Sequence, residues 1–85
     1  MADAIAIDVR YFAAAADAAG KASETLSLPA EADLAALVDE LSTRYGARFA
    51  EILGVSAFLV GDELTRDRTM ACGPRVDVLP PFAGG

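Results

Sequence analysis

The chain has 85 residues, 13 acidic and 7 basic, for a formal net charge of −6. That length holds one domain, and an acidic surface without a basic stripe repels phosphate backbones, so no nucleic-acid partner is expected. With no histidine and a single cysteine, a disulfide framework, a zinc site or other metal centre, and a Ser-His or Cys-His nucleophile pair are excluded as well.

Residues Ala4 to Phe12 alternate, with Ile5, Ile7, Val9 and Tyr11 on one face and Ala4, Ala6, Asp8, Arg10 and Phe12 on the other. That period of two predicts a half-buried strand. Ala13 to Ala19 is alanine-rich and suits a short helical turn stopped at Gly20. Ala22, Glu24, Leu26 and Leu28 alternate again, which predicts a second strand in a hairpin with the first, ended by Pro29. Asp33 is a good N-cap for the clearest helix, in which Leu34, Leu37, Val38, Leu41 and Tyr45 share a face and Gly46 supplies the stop.

The stretch from Arg48 to Leu53 is ambiguous and is read as a short turn placing Phe49 and Leu53 at the core edge. Ala57 to Val60 predicts a short strand, Gly61-Asp62 its turn, and Glu63-Leu64-Thr65 a brief return; Arg66-Asp67-Arg68 reads as a solvated loop. After the Gly73-Pro74 turn, Arg75 to Leu79 forms the last strand with Val76 and Val78 inward. Strands gathered around one main helix predict an α+β domain, with that helix across a mixed sheet, an order that the β-grasp arrangement satisfies.

The expected boundaries are a folded domain over residues 1–79 and an extended, flexible tail over residues 80–85, Pro80-Pro81-Phe82-Ala83-Gly84-Gly85. The prolines cannot donate to a sheet ladder and favour an extended path. Gly84 and Gly85 carry no side chains, so the tip is thin enough to thread a narrow channel and leaves its carbonyl open to attack. No basic leader precedes an apolar run and no stretch reaches the ~18 apolar residues of a membrane span, so a cytoplasmic protein with no membrane contact is expected. Lys21, the only lysine, reads as a solvated loop residue. Cys72, between Ala71 and Gly73, has no neighbouring charge to activate it and is assigned no role.

The ending Leu79-Pro80-Pro81-Phe82-Ala83-Gly84-Gly85 resembles the molybdopterin-synthase small-subunit family of sulfur carriers. Tyr11-Phe12-Ala13, the Asp33-capped helix and the Gly73 turn are also similar to that family. The chain differs from many relatives at Val60-Gly61, Gly73-Pro74-Arg75-Val76 and Ala16. The resemblance implies a ubiquitin-like β-grasp fold and a carrier with no catalytic side chains of its own. Gly85 is then expected to be adenylated by a ubiquitin-activating-like adenylyltransferase using ATP, and converted to a thiocarboxylate by a persulfide sulfur donor. Sulfur then passes to a pterin precursor within a hetero-oligomer formed with the large synthase subunit, and this chain binds no cofactor itself. By the same resemblance the tail, Pro80 to Gly85, enters partner active sites, and Phe12, Leu64 and Leu79 form an apolar docking patch. Phe12 and Leu79 have parity opposite to the inward residues of their strands, which fits this patch; packing under loops is the competing reading. Carriers for thiamine, cysteine or tRNA thiolation, a protein modifier conjugated through Gly85, and a non-covalent binding module are the alternatives.

Overall fold

A computed structural model describes residues 3–81 of the chain. Eight elements follow in order: β1 (Ala4–Tyr11), α1 (Ala13–Ala19), β2 (Ser23–Pro29), α2 (Leu34–Tyr45), α3 (Ala47–Gly54), β3 (Ala57–Val60), β4 (Glu63–Thr65) and β5 (Arg75–Leu79). The strands form one five-stranded sheet in the order β2-β1-β5-β3-β4. β1 pairs antiparallel with β2 and parallel with β5, so the first and last strands are central neighbours. β3 joins β5 and β4 antiparallel. The expected α+β mixed sheet with one main helix is the observed one.

The core lies on one face only. Alternation sends Ile7, Val9 and Tyr11 from β1, Leu26 and Leu28 from β2, Phe58 from β3, and Val76 and Val78 from β5 to the inner side, where all are buried. α2 contributes Leu34, Leu37, Val38 and Leu41 from a single stripe. The first backbone N–H groups of that helix have no partners within it and must find them elsewhere. Asp33 Oδ1 accepts from Ala36 N at 2.9 Å. The carbonyls of Met70 and Arg68 accept from Leu34 N and Ala35 N, each at 3.0 Å. The loop after β4 thus plugs the positive end of α2.

Two expectations need correction here. The segment from Ala47 to Gly54 is a helix, α3, and not a turn; Phe49 and Leu53 on it are 1 % and 0 % exposed, deep in the core rather than at its edge. The break between α2 and α3 is Gly46, at φ +96° and ψ −172°, a conformation essentially reserved for glycine. The loop at residues 66–68 is not wholly solvated either. Arg68 is half-buried and its Nη2 donates to the Leu53 carbonyl at 2.9 Å, while Ser56 Oγ donates to that of Ile52 at 2.7 Å. Both fill acceptors that the end of α3 leaves open.

Candidate functional site

The functional end of the molecule is set by the parallel pairing at the centre of the sheet. Tyr11 on β1 stands opposite Val78 on β5, so both strands finish at the same edge. β3 begins there, with Ala57 opposite Leu79. Pro80 is buried against this edge and Pro81 is exposed, so the chain leaves the packed body at the second proline. Phe82, Ala83, Gly84 and Gly85, the tip expected to carry the chemistry, lie outside the described residues.

Of the three residues expected to dock a partner, Phe12 and Leu79 lie at this exit, while Leu64 lies two strands away, opposite Leu59. Phe12 is 40 % exposed and Leu64 is 63 % exposed; Leu79 is half-buried. Phe12, in extended backbone, keeps the outward parity of Arg10, and Ala13 after it takes φ +52°, a left-handed conformation costing a residue with a Cβ about 1 kcal/mol. Strain of this kind persists where the surroundings hold it in place. Continuing the β1–β5 register by one residue sets Phe12 beside Leu79. Leu59, opposite Leu64 and half-buried on the same outer face, belongs to this surface and was missed from sequence. The signal was its parity, one residue away from inward Phe58.

A second omission is the pair at the middle of the outer face. Arg10 donates from Nε and Nη2 to the two oxygens of Asp77, at 2.9 Å each. The side-chain hydrogen bond and charge of Asp77 raise the Arg10 pKa above its ordinary value. Arg10 Cζ lies 5.6 Å from the Phe12 ring centroid, within cation–π range. An acid between two inward valines and a base midway along the first strand were visible in the sequence, but their meeting required the parallel register.

Towards β2 the outer face is polar. Asp8, Arg10, Ser23, Glu24, Thr25 and Arg75 line a shallow notch of about 310 Å³, with Thr25 Oγ1 donating to Asp8 at 2.9 Å. Glu24 reaches under α2, where the hydroxyls of Tyr11 and Tyr45 both donate to its Oε2. Lys21 Nζ and Arg44 Nη1 stand 3.6 and 3.9 Å from Oε1. Burial alone pushes the Glu24 carboxyl up, but the two tyrosine hydrogen bonds and then the two cations outweigh it, and the net shift is downward. Burial, followed by the contact with Glu24, raises the Tyr11 hydroxyl. This cluster ties β2, β1 and the end of α2 together. Lys21, read as merely solvated, is one of its members.

Cys72 is buried, and burial followed by the charge of Asp33 pushes its thiol up to about 11. Both effects disfavour the thiolate, the nucleophilic form of a thiol. Among the described residues no group of three or more His, Cys, Asp or Glu comes together to hold a metal. Among them also, no helix is long and apolar enough to cross a membrane.

The fold has many solved counterparts. Small archaeal modifier protein 1 of Haloferax volcanii superposes with a TM-score of 0.77 at 19 % identity, over 94 % of this chain and 99 % of its own. A Pyrococcus furiosus candidate for molybdopterin converting factor, subunit 1, gives 0.72 at 26 % identity, over 92 % and 99 %. These neighbours make the architecture a ubiquitin-like β-grasp. In sequence, the chain is 32 % identical over 83 residues, 93 % of each protein, to the human molybdopterin synthase sulfur carrier subunit. The family model described as ThiS matches residues 9–85, from the inner face of β1 to the final glycine, and the chain belongs to the ThiS family.

Proposed function

We propose that the chain is the sulfur-carrying small subunit of a molybdopterin synthase, and that the carboxylate of Gly85 is its working group. One observation carries this reading. A central strand runs into Pro80-Pro81-Phe82-Ala83-Gly84-Gly85 at the edge where Phe12 is turned outward, in a chain 32 % identical to a molybdopterin synthase sulfur carrier subunit.

The chemistry follows from the weakness of a carboxylate as an electrophile. ATP converts it to an acyl-adenylate on an activating enzyme, with loss of pyrophosphate. The terminal sulfur of a donor persulfide attacks the Gly85 carbonyl and AMP leaves. A second thiol cleaves the resulting acyl disulfide, so the donor is left as a disulfide and Gly85 as a thiocarboxylate. In the synthase, two such sulfurs build the dithiolene of molybdopterin. This chain supplies a thin acyl terminus and a docking surface of Phe12, Leu64 and Leu79, while the large subunit supplies the catalytic side chains.

An intact-mass measurement after incubation with ATP, the cognate activating enzyme and a persulfide donor tests the proposal. The expected product has one terminal oxygen replaced by sulfur; an unchanged mass with an active enzyme overturns it. A second reading, a protein modifier joined through Gly85 to amines, draws on the fold shared with the archaeal modifier proteins. It predicts an isopeptide adduct with acceptor proteins in the same incubation. Carriage of sulfur for thiamine, cysteine or tRNA would use the same tail and differ only in the acceptor.

A further inference from the structure

The ion pair at the centre of the outer face has no part in the tail chemistry. Asp77 is 4 % exposed, although it lies on the side of the sheet that no helix covers. Arg10 covers it from β1, and the register sets Leu59 on its other side with Leu64 beyond. Half of the Arg10 side chain remains open to solvent, stacked towards the Phe12 ring. The pair therefore stands at the border of the apolar surface, with Phe12, Leu59 and Leu64 on one flank and the polar notch of Asp8, Ser23 and Arg75 on the other.

A buried ion pair is a poor source of stability, because desolvation of the two charges offsets most of their attraction, and apolar residues of similar volume serve as well. A leucine or valine facing Leu59 would have completed the surface. What the pair supplies is selectivity. Its fork uses Nε and one hydrogen of Nη2, leaving both hydrogens of Nη1 and the second of Nη2 to water. A protein settling on Phe12, Leu64 and Leu79 strips that water away. A surface without acceptors then pays the full cost of unpaired donors, whereas one with a matching acceptor does not. Asp77 already cancels the charge of Arg10, so a further carboxylate would bury net negative charge. A carbonyl oxygen closes the site neutral.

We propose that the Arg10–Asp77 pair is a specificity determinant at the polar border of the docking face, admitting a partner that presents a carbonyl oxygen to Arg10 beside the apolar contacts. The inference rests on the carrier reading, because it takes the occupant to be the large synthase subunit that receives the tail. From Pro81 to Gly85 the chain spans at most about 17 Å even when fully extended. A protein acting on Gly85 must therefore stand against the edge where Phe12 and Leu79 lie.

The test is titration calorimetry with the large subunit encoded in the same genome. Three variants are compared with the wild-type chain: Arg10→Lys, the double variant Arg10→Ala/Asp77→Ala, and Leu64→Asp. The double variant removes both charges, leaves no unpaired carboxylate and is expected to stay folded by circular dichroism. It should bind at least about tenfold more weakly. Arg10→Lys keeps Asp77 paired but loses the planar fork, and should weaken binding by a similar factor; it serves alone if the double variant unfolds. Wild-type affinity in a folded double variant, or in Arg10→Lys when that stands alone, overturns this proposal and leaves the carrier reading intact, provided Leu64→Asp abolishes binding. Failure of the wild-type chain to bind the large subunit, or occupation of the face by a second copy of the chain in sedimentation, overturns both.

Discussion

The two faces of the sheet are made by alternate residues of the same strands, yet they obey different rules. On the inner face Ile7, Val9, Phe58, Val76 and Val78 are fully buried under the helices. On the outer face the intervening residues include exposed Asp8 and Arg10, buried Asp77 and half-buried Leu59 and Leu79. The inner face requires apolar volume of the right shape, which many residues supply. The outer face carries the Arg10–Asp77 pair at the border of an apolar patch, the place where the proposed partner would settle. On this proposal stability rests on one side and recognition on the other, and substitutions can separate them.

The largest expected effect falls on neither face. Deleting Gly84-Gly85 should abolish sulfur loading, read by intact mass, while leaving the thermal midpoint unchanged; residual loading would mean that the working group lies elsewhere. On the inner face, Phe58→Ala should cost about 3–5 kcal/mol in urea unfolding, because Phe58 is fully buried opposite Val78 and its truncation leaves a cavity. A small loss there would show the core to be looser than its burial indicates.

The Glu24 cluster gives the next effect and a pH dependence. Its folded carboxyl titrates below the ordinary value of 4.5. The contribution is therefore fully present above that pH and is lost as pH falls through the lower, folded value. Replacing Glu24 by Gln should remove about 1–2 kcal/mol at neutral pH. It should also flatten the fall in urea midpoint on acidification; an unaltered profile would assign acid sensitivity to other carboxylates. The smallest effect belongs to the boundary between the faces. Ala13→Gly relieves the left-handed strain at φ +52° and should raise stability by up to about 1 kcal/mol. A loss instead would mean that the Ala13 methyl contributes packing that outweighs the strain.

The contrast between the faces also explains what the sequence disclosed. Alternation along Ile5 to Tyr11 and the Leu34-to-Tyr45 stripe identified β1 and α2, because burial on one side imposes a period on local sequence. The helix α3 escaped for local reasons. It spans Ala47–Gly54, begins at a glycine without a side-chain cap, and offers Phe49, Ile52 and Leu53 over little more than one turn, a pattern that a turn also satisfies. At the site, the exposure of Phe12 was legible from strand parity, whereas exposed Leu64 was singled out by resemblance alone. The Arg10–Asp77 and Glu24–Tyr45 contacts were not legible, since 67 and 21 positions separate their members and only tertiary register joins them.

The parallel pairing of β1 with β5 also bears on how the protein is made. β5, which lies beside β1, follows every other described strand in sequence, so the sheet has no centre until residues 75–79 have left the ribosome. A topology with its closing contact so far apart in sequence folds late and slowly compared with one of local contacts. A translation product interrupted before residue 75 therefore lacks β5 and with it the closed sheet. The edge where Phe12 and Leu79 meet is assembled only in a molecule whose sheet has closed.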